Sequence, residues 1–236
     1  MPTPGHLQTV LPESFRCRML ETPMIDKTWR STMACLSFGL LASLTLSCAS
    51  APAAPEAPRP APPEEALAYY PLEAGWKWAY DVERAGERIL AVTSVQERQA
   101  NGAVLQAGSE TLHYDIGPAG IARSPGAGET DKRASSNDYL IKNPIRPGSS
   151  WPIEGGTATI TSLGGSVTVS AGTFDNCLVV EEARSSPARL VRTTYAPGVG
   201  PVALESLVQL PGKASYETTL RASLRGVTRP GEDPLQ

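Results

Sequence analysis

Cysteine and histidine are the residue types through which this chain would most readily perform nucleophilic, redox or metal chemistry. Outside the first 66 residues the chain has one of each, Cys177 and His113. That part of the chain therefore has no cysteine pair for a disulfide and no set of thiolates or imidazoles for a zinc site. No neighbour in the sequence lowers the pKa of Cys177, and its partnership with His113 is not indicated. We predict no catalytic residue, metal ligand or cofactor.

Carboxylates are the other possible source of acid–base chemistry. Glu181 and Glu182 are adjacent, and adjacent residues of a regular strand point to opposite faces, so they do not form an acid–base pair. Residues 211–214 lack the flanking residues of a phosphate loop, and no serine lies in a nucleophile elbow. A carboxylate-based hydrolase stays open only as a second alternative function.

Composition and charge limit the class of protein. The 236 residues carry 21 Lys+Arg against 24 Asp+Glu, a net charge of −3, which provides no basic surface for nucleic acid. Gly and Pro number 21 and 22, while aromatic residues make up only 6%. This composition favours many short strands separated by turns over long helices.

The N-terminal third has the pattern of an export signal. Thirteen uncharged residues, "ACLSFGLLASLTL" at 34–46, follow Lys27 and Arg30, and this run is too short to span a bilayer but suits a signal-peptide core. We predict a signal peptide over residues 24–47. Residues 1–23 are interpreted as a misassigned start or a disordered extension, with Met24 as the start.

The signal ends in "LTLSCAS", which resembles the lipobox of bacterial lipoproteins. Leu46 and Ser47 precede Cys48, although Thr45 stands where the family usually has leucine. The resemblance implies that Cys48 becomes the lipidated N-terminus, and Ala49 after it implies the periplasmic face of the outer membrane. A secretory signal cut just beyond Cys48, or an N-terminal anchor helix, are the alternatives.

A Pro/Ala-rich segment follows, and we interpret residues 48–67 as the lipidated cysteine and its tether. Six prolines lie between Pro52 and Pro63, which disfavours both helix and sheet. At ~3.1 Å per residue, a polyproline-like tether of about 16 residues reaches ~50 Å from the membrane.

Alternating apolar and polar residues begin near residue 69 and continue to the end of "SYETTLRASLRGV". We predict a mainly β domain over residues 68–227, an antiparallel meander curled into a half-barrel, barrel or sandwich, and a disordered tail over 228–236. Residues 117–137 lose the alternation and are predicted to form a mobile loop. Several prolines just after them exclude a long central strand.

Two motifs lie in the second half of this domain. "GTFDNCL" at 172–178 combines turn formers with an inward Phe174, and "YAPGVG" at 195–200 supplies a second turn. The predicted turn residues are Gly172, Asp175, Asn176, Pro197, Gly198 and Gly200. With the opening "YPLEAGWKW" at 70–78, these motifs resemble the TapB-like family of uncharacterised exported bacterial β-proteins over residues 69–225. This resemblance implies a fold and no activity.

Trp76, Trp78, Trp151 and Phe174 are the aromatic residues that pack the core or line a cavity. The predicted function is non-catalytic binding of an envelope protein partner, with a carrier of an apolar or lipid-like ligand as the alternative. A carrier requires an apolar cavity of several hundred Å3, whereas a filled core with an exposed apolar patch favours a protein partner.

Overall fold

A computed structural model of the chain describes residues 60–124, 138–210 and 212–232. All of them belong to the compact unit formed by residues 56–236. The signal peptide, the extension before it and Cys48 lie outside the described residues. In the described ranges, no helix has both the length and the apolar character needed to cross a bilayer.

One short helix and twelve strands make up the described structure. The helix is α1 (Ala66–Tyr69), and the first six strands are β1 (Lys77–Arg84), β2 (Glu87–Gln99), β3 (Gly102–Ala107), β4 (Glu110–Gly117), β5 (Gly120–Ser124) and β6 (Tyr139–Lys142). The other six are β7 (Ser150–Ile153), β8 (Gly156–Val169), β9 (Gly172–Ser185), β10 (Ala188–Ala196), β11 (Gly200–Gln209) and β12 (Tyr216–Thr228).

The strands form a single antiparallel sheet built from two meanders. β1 to β6 pair in sequence order, as do β7 to β12, and β1 pairs with β12 to join the two halves. β6 and β7, which are consecutive in the sequence, are therefore the two end strands of the sheet. The tight connections between consecutive strands follow from the frequent Gly and Pro residues.

The sheet curls until its two end strands meet. The indole nitrogen of Trp151 on β7 donates a hydrogen bond to the carbonyl oxygen of Tyr139 on β6 at 2.8 Å. Pro152 lies within β7, a position that an end strand tolerates because one of its sides has no ladder. The predicted mainly antiparallel β fold is confirmed, in the form of a nearly closed, barrel-like sheet.

The core lies inside this curled sheet. Its most deeply buried members come from both meanders and from the segment that leads into β1; they include Tyr69, Leu72, Trp78, Leu105, Ile121, Ile160, Leu178, Val202 and Leu224. Alternate residues of a strand point to the same face, and the strands bury their inward residues to different extents; β2 and β12 each bury one, Val95 and Leu224. The interior is consequently filled by large apolar and aromatic groups.

One segment within the sheet differs from the sequence predictions. Gly120–Ser124, predicted to belong to a mobile loop, forms β5, which pairs with β4 and β6. Ile121 is fully buried there, and a single inward apolar residue between two glycine-rich stretches was too weak a periodic signal to reveal the strand. The rest of that predicted loop, residues 125–137, lies outside the described residues.

The ends of the domain also extend further than predicted. The side-chain amide of Asn176 donates to the carbonyl oxygen of Pro60 at 3.0 Å, and the Ala66 N–H donates to Asn143 Oδ1 at 2.9 Å, so the last tether residues pack on the sheet. At the other end, the Arg229 guanidinium lies 5.8 Å from the ring centroid of Trp76. Only residues 233–236 of the predicted tail lie outside the described structure.

Candidate functional site

Trp78 joins the opening motif at 70–78 to the motif at 195–200. Its indole nitrogen donates a hydrogen bond of 2.6 Å to the carbonyl oxygen of Val199, and Trp76 stacks on it with ring centroids 5.7 Å apart. Gly200 has φ +108°, and a Cβ atom there would lie only 3.0 Å from Trp78 Nε1. Glycine at position 200 is therefore required both by the backbone conformation and by the close approach of the indole.

The second motif forms the reversal between β10 and β11. Pro197 and Gly198 lie between Ala196, where β10 ends, and Gly200, where β11 begins, and Gly198 has φ +67°. The Gly198 N–H donates to the carbonyl oxygen of Ala68 at 2.7 Å. This turn thus fixes α1 against the sheet, which is a structural role.

The first motif forms a bulge and not the predicted turn at Asp175 and Asn176. The chain reverses at 170–171, and Gly172 is the first residue of β9. Asp175 and Asn176 both lie opposite Ser166 of β8, with Asn176 at φ +56°. Two residues facing one is the pattern of a β-bulge, which bends a strand without ending it. The sequence predicted turn-forming residues at this point but not the continuation of the strand.

The aromatic residues picked out from the sequence belong to the core. Trp76, Trp78 and Trp151 are buried, and Phe174 is half-buried against the same cluster. Trp78 and Trp151 both satisfy their indole N–H groups with backbone carbonyls. These contacts are those of packing residues that fix the ends of strands.

Cys177 and His113 are not brought together. Cys177 is buried on β9, where its thiol donates to the carbonyl oxygen of Phe174 at 3.4 Å, while His113 lies on β4 between β3 and β5. Burial raises the pKa of the Cys177 thiol to about 11. A thiol with a raised pKa is a poor nucleophile at neutral pH.

Four tyrosines form a polar layer inside the sheet. The ring of Tyr70 lies 5.6 Å from Trp78 and 6.0 Å from both Tyr114 and Tyr195, centroid to centroid. The hydroxyl of Tyr80 donates to the carbonyl oxygen of Pro201 at 3.0 Å. Burial raises the pKa of all four tyrosines, so their hydroxyl groups stay protonated at neutral pH.

An ion pair lies beside this tyrosine layer. Arg123 of β5 donates to Glu182 of β9 at 3.0 Å and to Asp138 at 3.4 Å, and Arg184 approaches Glu182 from the same strand at 3.4 Å. Glu182 is only 5% exposed. Burial alone would lower the pKa of Arg123, but the charge of Glu182 and its hydrogen bond outweigh burial and raise it. A fully paired cluster of this kind has no free charge for acid–base catalysis.

Glu181, adjacent to Glu182, points to the outer face, as predicted from strand geometry. It accepts from Arg192 at 2.6 Å, Arg192 contacts Glu205 at 3.3 Å, and Glu205 accepts from Arg221 at 3.2 Å. These residues lie on β9, β10, β11 and β12 in direct register. Opposite charges facing each other across neighbouring strands stabilise a sheet.

This charge row continues by register onto two more strands. Arg221 faces Glu83 of β1, and Glu83 faces Arg88 of β2, so the sign of the charge alternates across six strands. We define the outer charge row as Glu181, Arg192, Glu205, Arg221, Glu83 and Arg88. A groove of about 630 Å3 runs along it, closed on one side by Val167 and Ser170 of the β8–β9 hairpin.

The outer charge row ends beside an exposed apolar segment. Leu90 and Val92 lie on the same face of β2 as Arg88 and are 60% and 47% exposed, while Ile89, on the opposite face, is 55% exposed. The sequence predicted a strand here but revealed neither the outer charge row nor the exposed apolar segment. Only strand register shows which charges face each other and which side of a strand lacks a partner.

In the described part of the chain, no three His, Cys, Asp or Glu side chains form a metal site.

Comparison with known proteins gives limited similarity. No family model matches the chain, and no curated protein matches its sequence. One solved structure, designated an exported protein with a YmcC-like fold from Bacteroides fragilis, is 12% identical and aligns over 68% of this chain and 99% of its own, with a TM-score of 0.38. Another, designated a lipoprotein from Parabacteroides distasonis, is 13% identical and aligns over 68% of this chain and 98% of its own, with a TM-score of 0.37. At these TM-scores, neither similarity assigns a function to the chain.

Proposed function

We propose that this chain is a bacterial lipoprotein, held at the periplasmic face of the outer membrane by lipidated Cys48, whose β domain binds an envelope protein partner and catalyses no reaction. One observation supports the binding of a protein partner. Large apolar side chains are buried inside the sheet, whereas Leu90 and Val92, on the outer face of β2, are exposed. A filled core with an apolar patch at the surface is the arrangement of a protein-binding domain.

The absence of catalysis is supported by the state of the candidate groups. Cys177 is buried with a pKa of about 11, and Glu181 and Glu182 lie in ion pairs on opposite faces of β9. Both glutamates are engaged by arginines, which disfavours their use as the acid and base of a carboxylate-based hydrolase.

The carrier alternative has less support. The groove along the outer charge row is large enough for a small molecule, but Asp81, Glu83, Arg192, Glu205 and Arg221 line it. Burying an apolar ligand against these side chains would remove charged groups from water without compensating hydrogen bonds, which is unfavourable.

The anchor is tested by lipid labelling and fractionation. We expect cells expressing the full chain to incorporate a labelled fatty acid into the protein and to retain it in the outer-membrane fraction. Cys48→Ala should abolish the label and release the protein, whereas the matched change Cys35→Ala, within the cleaved signal, should alter neither. Label that persists in Cys48→Ala would contradict the assignment.

Protein binding is tested by photo-crosslinking in intact cells. A photoreactive benzoyl-phenylalanine at Leu90 should yield a discrete adduct with another protein after irradiation. The same group at Lys213, on the exposed β11–β12 hairpin, is the matched control and should yield none. If no surface position of the β domain forms an adduct with a protein, the proposed binding function is wrong.

A further inference from the structure

The N-terminal half of β2 forms an open edge within the sheet. β3 pairs only with residues 93–99 of β2, so among the described strands Glu87 to Val92 pair with β1 alone. The ladder on the other side stops at Gly108, whose N–H donates to the carbonyl oxygen of Val92 at 3.3 Å. An open edge presents backbone donors and acceptors to any extended chain that can pair with them.

The direction of these backbone groups follows from Val92. In a regular strand the N–H and C=O of one residue point to the same side, and the side alternates from residue to residue. The pairing of β1 with β2 is regular throughout. Because the carbonyl of Val92 points away from β1, the backbone groups of Leu90 and Arg88 point away from β1 as well. Glu87, Ile89 and Ala91 instead direct their backbone groups toward β1.

The outer charge row specifies the side chain that an added strand should carry. Its sign alternates from Glu181 to Arg88 across six strands, and a strand added beside β2 would occupy the seventh position, opposite Arg88. In the described structure Arg88 forms no ion pair within 4.0 Å; Glu83 faces it in register without such a contact. A carboxylate on the added strand would continue the alternation.

Leu90 and Val92 determine which side chains an added strand should place opposite them. They lie on the same face of β2 as Arg88, since every second residue of a strand shares a face. Both side chains are about half exposed, so apolar residues opposite them would be buried on pairing. This edge therefore favours a partner segment that has one acidic and two apolar residues at alternate positions.

We propose that Glu87–Val92 of β2 binds an extended segment of a partner protein by strand addition, with an acidic side chain opposite Arg88 and apolar side chains opposite Leu90 and Val92. This inference rests on the proposed function of protein binding and names the chemistry of the partner. Strand addition gives affinity through main-chain hydrogen bonds and specificity through alternate side chains.

A second copy of this chain does not fit the same edge. In an antiparallel two-fold pairing, directly opposite residues share a face, so Arg88 would meet Arg88, Leu90 or Val92 of the other copy. None of these is acidic. The two glutamates near the edge, Glu83 and Glu87, lie on β1 and on the opposite face of β2. The charge pattern therefore favours a different protein.

The test uses the full-length lipoprotein in detergent and two capped peptides, Val-Thr-Val-Thr-Glu-Thr and Val-Thr-Val-Thr-Lys-Thr, each carrying a fluorophore. Antiparallel pairing places the fifth residue opposite Arg88. We expect the glutamate peptide to bind wild type roughly fivefold more tightly than the lysine peptide, and Arg88→Glu to reverse this preference. Arg146→Glu, the same charge change in an exposed loop, should leave the preference unaltered.

A second pair of variants tests the backbone contribution. Leu90→Pro removes an N–H that points to the open side and is tolerated at an edge, so it should abolish peptide binding while the circular dichroism spectrum is retained. Leu90→Thr keeps that N–H and should weaken binding only partly.

Peptide binding that ignores the sign of the charge, failure of both peptides to bind, or dimerisation of the protein through β2 would each overturn strand addition. If Leu90 forms a protein adduct in cells while the peptides show no preference, protein binding stands and strand addition fails. Absence of both the adduct and the preference would reject both proposals.

Discussion

Arg123 of β5 and Glu182 of β9 are joined by a 3.0 Å ion pair, although β6, β7 and β8 lie between their strands on that side of the sheet. The pair therefore spans the side on which β6 and β7 meet without forming a ladder. With the Trp151 to Tyr139 hydrogen bond, it holds together the two meanders where backbone pairing does not. This relationship leads to the first of four predictions.

Replacing Glu182 by Gln should destabilise the domain by about 2 kcal/mol, because the Arg123 guanidinium loses its buried charged partner and keeps only Asp138. Glu181→Gln on the same strand is the matched control. It removes a partner from the solvent-facing Arg192 and should cost about 0.5 kcal/mol or less. Urea unfolding followed by tryptophan fluorescence measures both, and equal losses would contradict a special role for the inner pair.

Gly200→Ala should destabilise the domain more than Gly198→Ala. Both glycines have positive φ, so alanine costs about 1 kcal/mol at each position from backbone strain. At Gly200 the new methyl group also meets the Trp78 indole, which adds roughly 1–3 kcal/mol, while the space around Gly198 is open. Thermal unfolding and the near-ultraviolet circular dichroism of tryptophan measure the difference. An equal effect of the two changes would show that the Trp78 contact is unimportant.

Alkaline pH should unfold the domain through its buried tyrosines. Burial raises the pKa of Tyr69 to about 12 and also raises the pKa of the four tyrosines of the inner layer, above the value of about 10 in the unfolded chain. The protonated tyrosines therefore contribute fully to the free energy of unfolding below about pH 10. This contribution is lost as the pH rises toward the pKa values of the folded state. We expect tyrosinate absorbance at 295 nm to rise together with loss of structure. Titration of all the tyrosines near pH 10 in a folded protein would contradict their burial.

Cys177 should be chemically inert in the folded protein. In the mature lipoprotein proposed above, Cys48 is blocked by lipid, which leaves Cys177 as the free thiol. Because burial raises its pKa to about 11, Ellman's reagent at pH 8 should react with it only after denaturation. Rapid reaction of the native protein would indicate an accessible thiolate and would reopen a redox role.

The sequence predicted much of this fold because most strands are long and strictly alternating. "SYETTLRASLRGV" is an example: Leu224 is buried as expected, and the strand lies in the centre of the sheet. Tyr216 of the same segment is exposed. The pairing of β11 with β12 shifts register between Leu220 and Thr218, which interrupts the alternation of faces, and β1 ends opposite Leu220. Periodicity alone predicts neither a register shift nor the length of the neighbouring strand.

The candidate binding features were not predictable in the same way. Glu83, Arg88, Glu181 and Arg192 are ordinary solvent-facing charges in the sequence, and their alternation exists only once the register of neighbouring strands is known. The role of the half-buried Arg123 was not predicted because β5 itself was not recognised. Asn176 was identified as a turn former, but its bulge depends on pairing with β8.

Native mass spectrometry of the full-length protein, released gently from outer membranes, tests the central claim most directly. A β domain with a filled interior that binds proteins should carry only the mass of the lipidated polypeptide, alone or with a protein partner. A retained apolar molecule beyond the covalent lipid, lost when the domain unfolds, would contradict the account and establish a ligand carrier.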